Sequence, residues 1–271
     1  MKQEIGQSHF FTVNDGTRLH YWQAGEGKTL LMIHGWTQSA AAFKYNISKL
    51  SEKYKVIAVD LRGHGESDKP THGYRLSRFA KDIHDLILGL DLKDVTILGW
   101  SMGCSVIWSY WDLFGSERLS KIILVDEPGW LLKTEENDLG LWSYDELLAN
   151  VEAINADKVA YSKALIDGLL TKKMPEEDVQ FLIAENLKMP AEYTARLAII
   201  HWFLDWRDII PTISLPTMII GGKKSFVNWH SQVWNNEMIP GSKLELFEDR
   251  GHLMFFEEPE KFNKIVSDFI D

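Results

Sequence analysis

The segment VTILGWSMG, residues 95–103, decides the fold of this chain of 271 residues. Its first four residues form an apolar run with the length and composition of a buried strand. Beyond the segment, large apolar side chains recur at helical spacing over residues 106–114. The pattern therefore predicts a buried strand, a very tight turn and a helix, with Ser101 on the turn.

Ser101 is a candidate nucleophile because of this position. So tight a turn forces the serine into a strained backbone conformation. Gly99 and Gly103, two residues to either side, remove the side chains that would collide with the neighbouring strand and helix. The hydroxyl then projects alone above a helix N-terminus, where backbone N–H groups and the helix dipole favour a developing negative charge. In this strand–turn–helix context, the pattern G-x-S-x-G predicts a nucleophile elbow.

Composition and charge limit the classes of partner. Hydrophobic residues make up 45% of the chain, enough for a sizeable core. The 39 acidic against 29 basic residues give a formal net charge of −10, which argues against nucleic acid and anionic membranes as partners. No apolar run reaches membrane-spanning length, and residues 1–6 lack the apolar core of a signal peptide, so we expect a cytoplasmic protein.

Strand patterns alternate with helix patterns along the first half of the chain. The strands are predicted at 10–13, 18–22, 29–33, 55–59, 95–98 and 122–125. Helices are predicted at 40–50, 76–90 and 104–114. The first two strands read as a hairpin, and the later alternation predicts a mostly parallel sheet with helices on both faces.

The alternation stops after residue 127. Between 128 and 211 no buried strand is predicted, and helical patterns occupy 157–170, 175–187 and 191–206. Strands resume at 217–220 and 243–247, followed by a helix at 259–270. We therefore predict an α/β core made of residues 1–127 and 212–271, with an all-helical cap of residues 128–211 inserted into it.

Four segments carry a family resemblance: HGW at 34–36, DLRGHGES at 60–67, GWSMG at 99–103, and GH at 251–252. With them the sequence resembles enzymes of the α/β-hydrolase fold, in the cap-bearing branch of esterases, non-haem haloperoxidases and lactonases. The resemblance covers essentially the whole core and implies a doubly wound sheet. In such enzymes the cap carries the substrate preference.

The resemblance implies roles for three further residues. His252 follows the last strand, at the position of the family's general base. The backbone N–H of Met102, the residue after the nucleophile, is one expected donor of the oxyanion hole. The N–H of Trp36, the residue after His-Gly, is the second expected donor.

The acid of the triad departs from the family's usual pattern. Most relatives place an aspartate shortly after the strand at 217–220, but the loop 221–228 reads GGKKSFVN and contains no carboxylate. Ser225 stands in its place, and a serine cannot stabilise an imidazolium by charge. A minority of the superfamily takes the acid from the end of the preceding strand, where this chain has Asp126. We expect Asp126 to be the acid, with Glu127 as the alternative.

Aromatic residues of the cap are the expected pocket. Trp130, Trp202 and Trp206, together with His201, are predicted to line an apolar pocket over Ser101, which suits a hydrophobic acyl or alcohol part. The sequence contains no nucleotide-binding loop, no flavin motif and no metal-ligand cluster of convincing spacing, so no cofactor is expected.

The predicted function is two-step acyl transfer by a serine hydrolase, a carboxylesterase or lactonase whose partner is a small-molecule ester or lactone. Epoxide hydrolase and haloalkane dehalogenase chemistry is disfavoured, because those enzymes carry an aspartate at the elbow. Hydroxynitrile lyase chemistry uses a similar triad and is an alternative. A second alternative, favoured by the missing acid of the usual loop, is a small-molecule receptor with slow or no turnover.

Overall fold

An eight-stranded sheet organises the protein in the computed structural model, which describes residues 5–271. The strand order across the sheet is β1-β2-β4-β3-β5-β6-β7-β8. Residues 1–4 lie outside the described range, and with them the start of the predicted core segment 1–127 and most of the segment 1–6 on which the expectation of a cytoplasmic location rests. The strands are β1 (Gln7–Thr12), β2 (Arg18–Ala24), β3 (Thr29–Ile33), β4 (Lys55–Val59), β5 (Val95–Trp100), β6 (Leu119–Val125), β7 (Thr217–Gly222) and β8 (Lys243–Phe247).

Strand directions agree with the predicted fold class. β1 and β2 form an antiparallel hairpin, and β2 also pairs antiparallel with β4. From β4 to β8 every neighbouring pair is parallel. The mostly parallel sheet and the initial hairpin are therefore confirmed.

Ten α-helices accompany the sheet in the described part of the chain. They are α1 (Lys44–Leu50), α2 (Leu76–Gly89), α3 (Met102–Phe114), α4 (Tyr144–Ala156), α5 (Lys158–Leu169), α6 (Glu176–Leu187), α7 (Ala191–Trp202), α8 (His230–Met238), α9 (Met254–Glu257) and α10 (Pro259–Ile270). Over residues 5–271, no helix combines the length and the apolar content needed to cross a membrane.

Alternate residues of each central strand face opposite sides of the sheet, and each side carries its own hydrophobic core. Leu31 and Ile33 of β3 belong to the core formed with α2 and α3. Leu30 and Met32 belong to the core formed with α1, α9 and α10. Helices therefore cover both faces, which confirms the doubly wound architecture.

Four helices, α4 to α7, lie between β6 and β7 in the chain, within the segment predicted as a cap. The prediction had three helices there and missed α4, in which Leu147 and Ile154 are the buried side chains. It also extended the last helix to residue 206, whereas α7 ends at Trp202. The division into a core of residues 1–127 and 212–271 and a cap of residues 128–211 stays a prediction.

The turn between β5 and α3 is so tight that two of its positions must be glycine. Ser101 adopts φ 54° and ψ −128°, and a residue with a side chain rarely has such a positive, left-handed φ. A Cβ on Gly99 would lie 2.4 Å from the carbonyl of Gly103. A Cβ on Gly103 would lie 2.4 Å from the carbonyl oxygen of Ile33. Strand and helix can meet this closely only because both positions are glycine.

We predict that Gly103→Ala lowers the free energy of unfolding by about 1–3 kcal/mol, because the clashing atom belongs to the backbone of β3 and cannot rotate away. The matched control is Gly168→Ala in α5, where an added Cβ meets nothing within 4 Å and a gain in helix propensity is expected. Urea unfolding followed by circular dichroism measures both variants. A Gly103→Ala protein as stable as the wild type would contradict this account of the turn.

Candidate active site

Ser101 stands at the carboxyl edge of the sheet, on the wall of a cavity. Its backbone N–H donates to the carbonyl oxygen of Val125 at 2.8 Å, and its own carbonyl accepts from the N–H of Cys104 at 2.7 Å. The loop after β3 runs directly beside it, since a Cβ on Gly35 would lie 3.0 Å from the Cβ of Ser101. The side chain of Ser101 lines a cavity of about 250 Å³.

His252 and Asp126 form a buried pair on the same cavity. His252 lies in the loop between β8 and α9, and its Nδ1 is 2.8 Å from Oδ2 of Asp126. Because a carboxylate only accepts hydrogen bonds, the ring hydrogen lies on Nδ1. The other nitrogen, Nε2, then has a lone pair with which it can take a proton. His252 also lines the cavity that Ser101 reaches.

Asp126 is held in place by its backbone and by three hydrogen-bond donors. It follows the last residue of β6, is fully buried and adopts a left-handed φ of 56°. Besides His252, the hydroxyl of Ser225 donates to Oδ2 at 2.6 Å and the N–H of Gly222 donates to Oδ1 at 3.3 Å. Ser225, at the position where the resemblance implied an aspartate, here donates to a carboxylate supplied by the neighbouring strand. Glu127, the alternative acid, does not contact His252 and pairs with His201 instead.

Two backbone amides near Ser101 have no hydrogen-bond acceptor in the part of the chain that the structure describes. Met102 is the first residue of α3, so its N–H has no carbonyl of its own helix to bind. Within residues 5–271, neither this N–H nor that of Trp36 donates to another protein group. The ring of Trp36 is anchored separately, because its Nε1 donates to the carbonyl oxygen of Thr194 in α7 at 3.2 Å.

The cavity includes two of the four predicted pocket residues, His201 and Trp202. Trp130 and Trp206 are not among the residues that line it. Trp130 packs under the guanidinium of Arg207, 4.3 Å from its ring centroid, and Trp206 lies in the core with Trp108 at 6.4 Å. Because α7 ends at Trp202, Trp206 does not share the helical face of Trp202.

The sequence itself identifies the family. Residues 28–259 match the sequence model of the alpha/beta hydrolase fold. The chain belongs to this family. An esterase from Exiguobacterium antarcticum is 33% identical, with a TM-score of 0.93 over 98% of this chain and 100% of its own. A bromoperoxidase from Bacillus anthracis is 25% identical, with a TM-score of 0.94 over 97% of this chain and 99% of its own. The non-heme chloroperoxidase CPO-A1 from Kitasatospora aureofaciens is 26% identical over 96% of this chain and 98% of its own.

Aromatic rings that the prediction did not assign to the pocket form much of the cavity wall of this hydrolase. Trp142 stacks on Trp202 at 4.3 Å, and Trp36 meets Trp202 edge-on at 5.7 Å. Phe226 packs against the imidazole of His252 at 4.7 Å. All of these rings line the cavity. No sequence signal distinguished Trp142, because it lies in a stretch without helical or strand periodicity.

The part of the chain that the structure describes contains no cluster of side chains suited to bind a metal ion. No group of three or more His, Cys, Asp or Glu side chains is arranged there to hold an ion.

We predict that Asp126→Asn slows the labelling of Ser101 by a fluorophosphonate by about 10²–10⁴-fold, because the amide supports neither the tautomer nor the charged form of His252. Ser225→Ala removes one donor to the same carboxylate and should slow labelling by less than about tenfold. Mass spectrometry of the labelled peptide gives site and rate. Labelling of Asp126→Asn at close to the wild-type rate would exclude this carboxylate as the third member.

Proposed function

We propose that this alpha/beta hydrolase cleaves a carboxylic ester or lactone of a small, partly apolar substrate through an acyl-enzyme on Ser101. The observation that carries the proposal is the buried His252–Asp126 pair, with Nδ1 of the histidine 2.8 Å from the carboxylate, on the same cavity as Ser101. A serine at an elbow, a histidine with a free Nε2 and a buried carboxylate together match the requirements of nucleophilic acyl transfer.

In the proposed mechanism, Nε2 of His252 removes the proton of Ser101 while Oγ attacks the substrate carbonyl. No hydrogen bond joins Ser101 to His252 in the described structure, and such bonds commonly tighten only when the substrate binds. The N–H groups of Trp36 and Met102 receive the negative charge of the tetrahedral intermediate.

His252 acts as an acid to complete acylation and then as a base in the attack of water. The imidazolium of His252, supported by Asp126, gives its proton to the leaving alcohol, which breaks the ester bond and leaves the acyl group on Ser101. The neutral His252 then removes a proton from water, and the resulting hydroxide attacks the acyl carbonyl. The second tetrahedral intermediate then collapses: the bond from the carbonyl carbon to Oγ breaks, the acid leaves, and the imidazolium of His252 returns its proton to Oγ of Ser101.

The cavity walls support an apolar substrate. Three tryptophans, Trp36, Trp142 and Trp202, stand together with leucines around a space of about 250 Å³, which is small for a ligand pocket. The whole-length similarity to the Exiguobacterium antarcticum esterase is consistent with an ester substrate. The receptor alternative rested on the missing acid of the loop 221–228, and Asp126 supplies a carboxylate to His252 without it.

We predict steady turnover of p-nitrophenyl esters by the wild type and none above background by Ser101→Ala, since that variant lacks only the attacking oxygen. The time course of p-nitrophenol release over many enzyme equivalents is the measurement, with circular dichroism to verify that the variant is folded. A single stoichiometric burst would instead favour the slow-turnover receptor. Wild-type activity in Ser101→Ala would refute the assignment of the nucleophile.

Trp202 and Trp206, four residues apart in the sequence, provide a test of the pocket. Trp202→Ala enlarges the cavity and should shift the acyl chain-length preference towards longer esters. Trp206→Ala leaves a hole in the core instead, so it should lower the free energy of unfolding by about 3–5 kcal/mol and leave the preference unchanged. The kcat/KM values for acetate to octanoate esters, together with urea unfolding, separate the two. A shifted preference in Trp206→Ala alone would reverse this interpretation.

A further inference from the structure

A second histidine–carboxylate pair is buried in the cavity wall, and the proposed mechanism does not use it. Oε1 of Glu127 lies 2.9 Å from Nε2 of His201, and the two side chains are 1% and 2% exposed. The hydroxyl of Ser105, in α3, lies 3.1 Å from the same ring nitrogen and 3.5 Å from Oε1. Glu127 and His201 both line the cavity that Ser101 reaches.

Within this cluster, Glu127 is contacted through Oε1 alone. Nε2 of His201 forms a hydrogen bond with the hydroxyl of Ser105 and lies at ion-pair distance from Oε1. Oε2 has no hydrogen-bond partner among residues 5–271. The contrast with the adjacent residue is clear, because both carboxylate oxygens of Asp126 accept hydrogen bonds.

The position of Glu127 is fixed from the core side. The carbonyl oxygen of Glu127 accepts a hydrogen bond from Nδ2 of Asn235 at 2.9 Å, so the backbone cannot move away from the cavity. Oε2 is not among the fully enclosed polar atoms that lack a partner, so it is open to the cavity that Glu127 lines. Since the surrounding wall consists largely of aromatic and leucine side chains, a hydrogen-bond donor on a bound substrate can take the place of water at this oxygen.

We propose that Oε2 of Glu127 accepts a hydrogen bond from a hydroxyl or ammonium group on the substrate. The preferred esters or lactones would then carry such a donor on an otherwise apolar skeleton. This inference rests on the proposed ester hydrolysis and names the substrate class for it.

The chemistry of the wall excludes other polar groups at this point. A carboxylate repels carboxylate and phosphate groups, and it offers nothing to an ether or ketone oxygen. A hydroxyl donates one hydrogen bond, and an ammonium adds attraction to the carboxylate and to the faces of the nearby indole rings. A site that hydrogen-bonds a substrate hydroxyl discriminates strongly against an analogue that lacks it, because the protein group is left unpaired.

The test uses methyl esters of butanoic, pentanoic and hexanoic acid, and analogues in which the terminal CH₃ is replaced by OH or NH₃⁺. Acid release in a pH-stat gives kcat/KM for each ester. The quantity of interest is the ratio of the donor-bearing ester to its methyl-terminated partner, in the wild type and in Glu127→Gln. Dividing one ratio by the other cancels differences in intrinsic ester reactivity and in the folded fraction of the variant.

We expect the wild-type ratio to exceed that of Glu127→Gln by about 10–100-fold at one chain length, the loss typical of a hydrogen bond to a charged group. Whether the OH or the NH₃⁺ series shows the effect identifies the donor. The matched control is Glu117→Gln, which breaks a Glu–His pair with His84 away from the cavity and should leave the ratio unchanged. Ratios that agree within about twofold between wild type and Glu127→Gln in both series would overturn the proposal.

Binding to the Ser101→Ala variant separates failure of this inference from failure of the proposed function. If the wild type hydrolyses none of the esters, the hydrolase proposal fails, and thermal shifts of Ser101→Ala with the same esters test the site alone. Greater stabilisation by the donor-bearing esters, lost in Ser101→Ala/Glu127→Gln, would still support the site. Equal stabilisation by donor-bearing and methyl-terminated esters would overturn it.

Discussion

Each of two neighbouring parallel strands is followed directly by a residue with a positive, left-handed φ, and the geometry of the site depends on this backbone constraint. Ser101 after β5 has φ 54°, and Asp126 after β6 has φ 56°. Each such residue costs about 1–3 kcal/mol, which the surrounding structure must offset. The sheet does so by pairing both residues, because the N–H of Ser101 binds Val125 and the N–H of Asp126 binds Ile220. The side chains therefore leave the sheet at its carboxyl edge, where open α/β sheets bind their ligands.

An acid placed after β6 can occupy nearly the same position as an acid placed after β7. β6 and β7 are adjacent and parallel, with Val125 paired to Ile220, so a residue after either strand lies at the same edge. The loop that carries His252 lies at this edge. Ser225, in the loop after β7, donates a hydrogen bond from its hydroxyl to Asp126 at 2.6 Å. Lys223, whose charge would oppose the imidazolium, is paired with Glu248 instead.

Sequence patterns were sufficient where local rules dominate. β3, β4 and β8 have the predicted bounds, because continuous or alternating apolar runs with clear turn signals define such strands. The elbow was predictable because its glycines are required by backbone contact. Helix α4 was missed because its buried side chains are few, which leaves little periodicity to detect. The choice between Asp126 and Glu127 needed coordinates, since it depends on one left-handed residue that turns the chain after β6. The free oxygen of Glu127 is likewise a tertiary feature, because its partner His201 is distant in sequence and no local pattern connects them.

The central claim is that the elbow presents Ser101 to two free amides and to a histidine fixed by Asp126. A crystal structure of the protein after reaction with a p-nitrophenyl phosphonate tests it most directly, because the adduct resembles the tetrahedral intermediate. The account predicts phosphorus bonded to Oγ of Ser101 and a phosphonyl oxygen about 2.7–3.1 Å from the backbone nitrogens of both Trp36 and Met102, with His252 still bound to Asp126. An adduct on another residue, or a phosphonyl oxygen turned away from both amides, would contradict it.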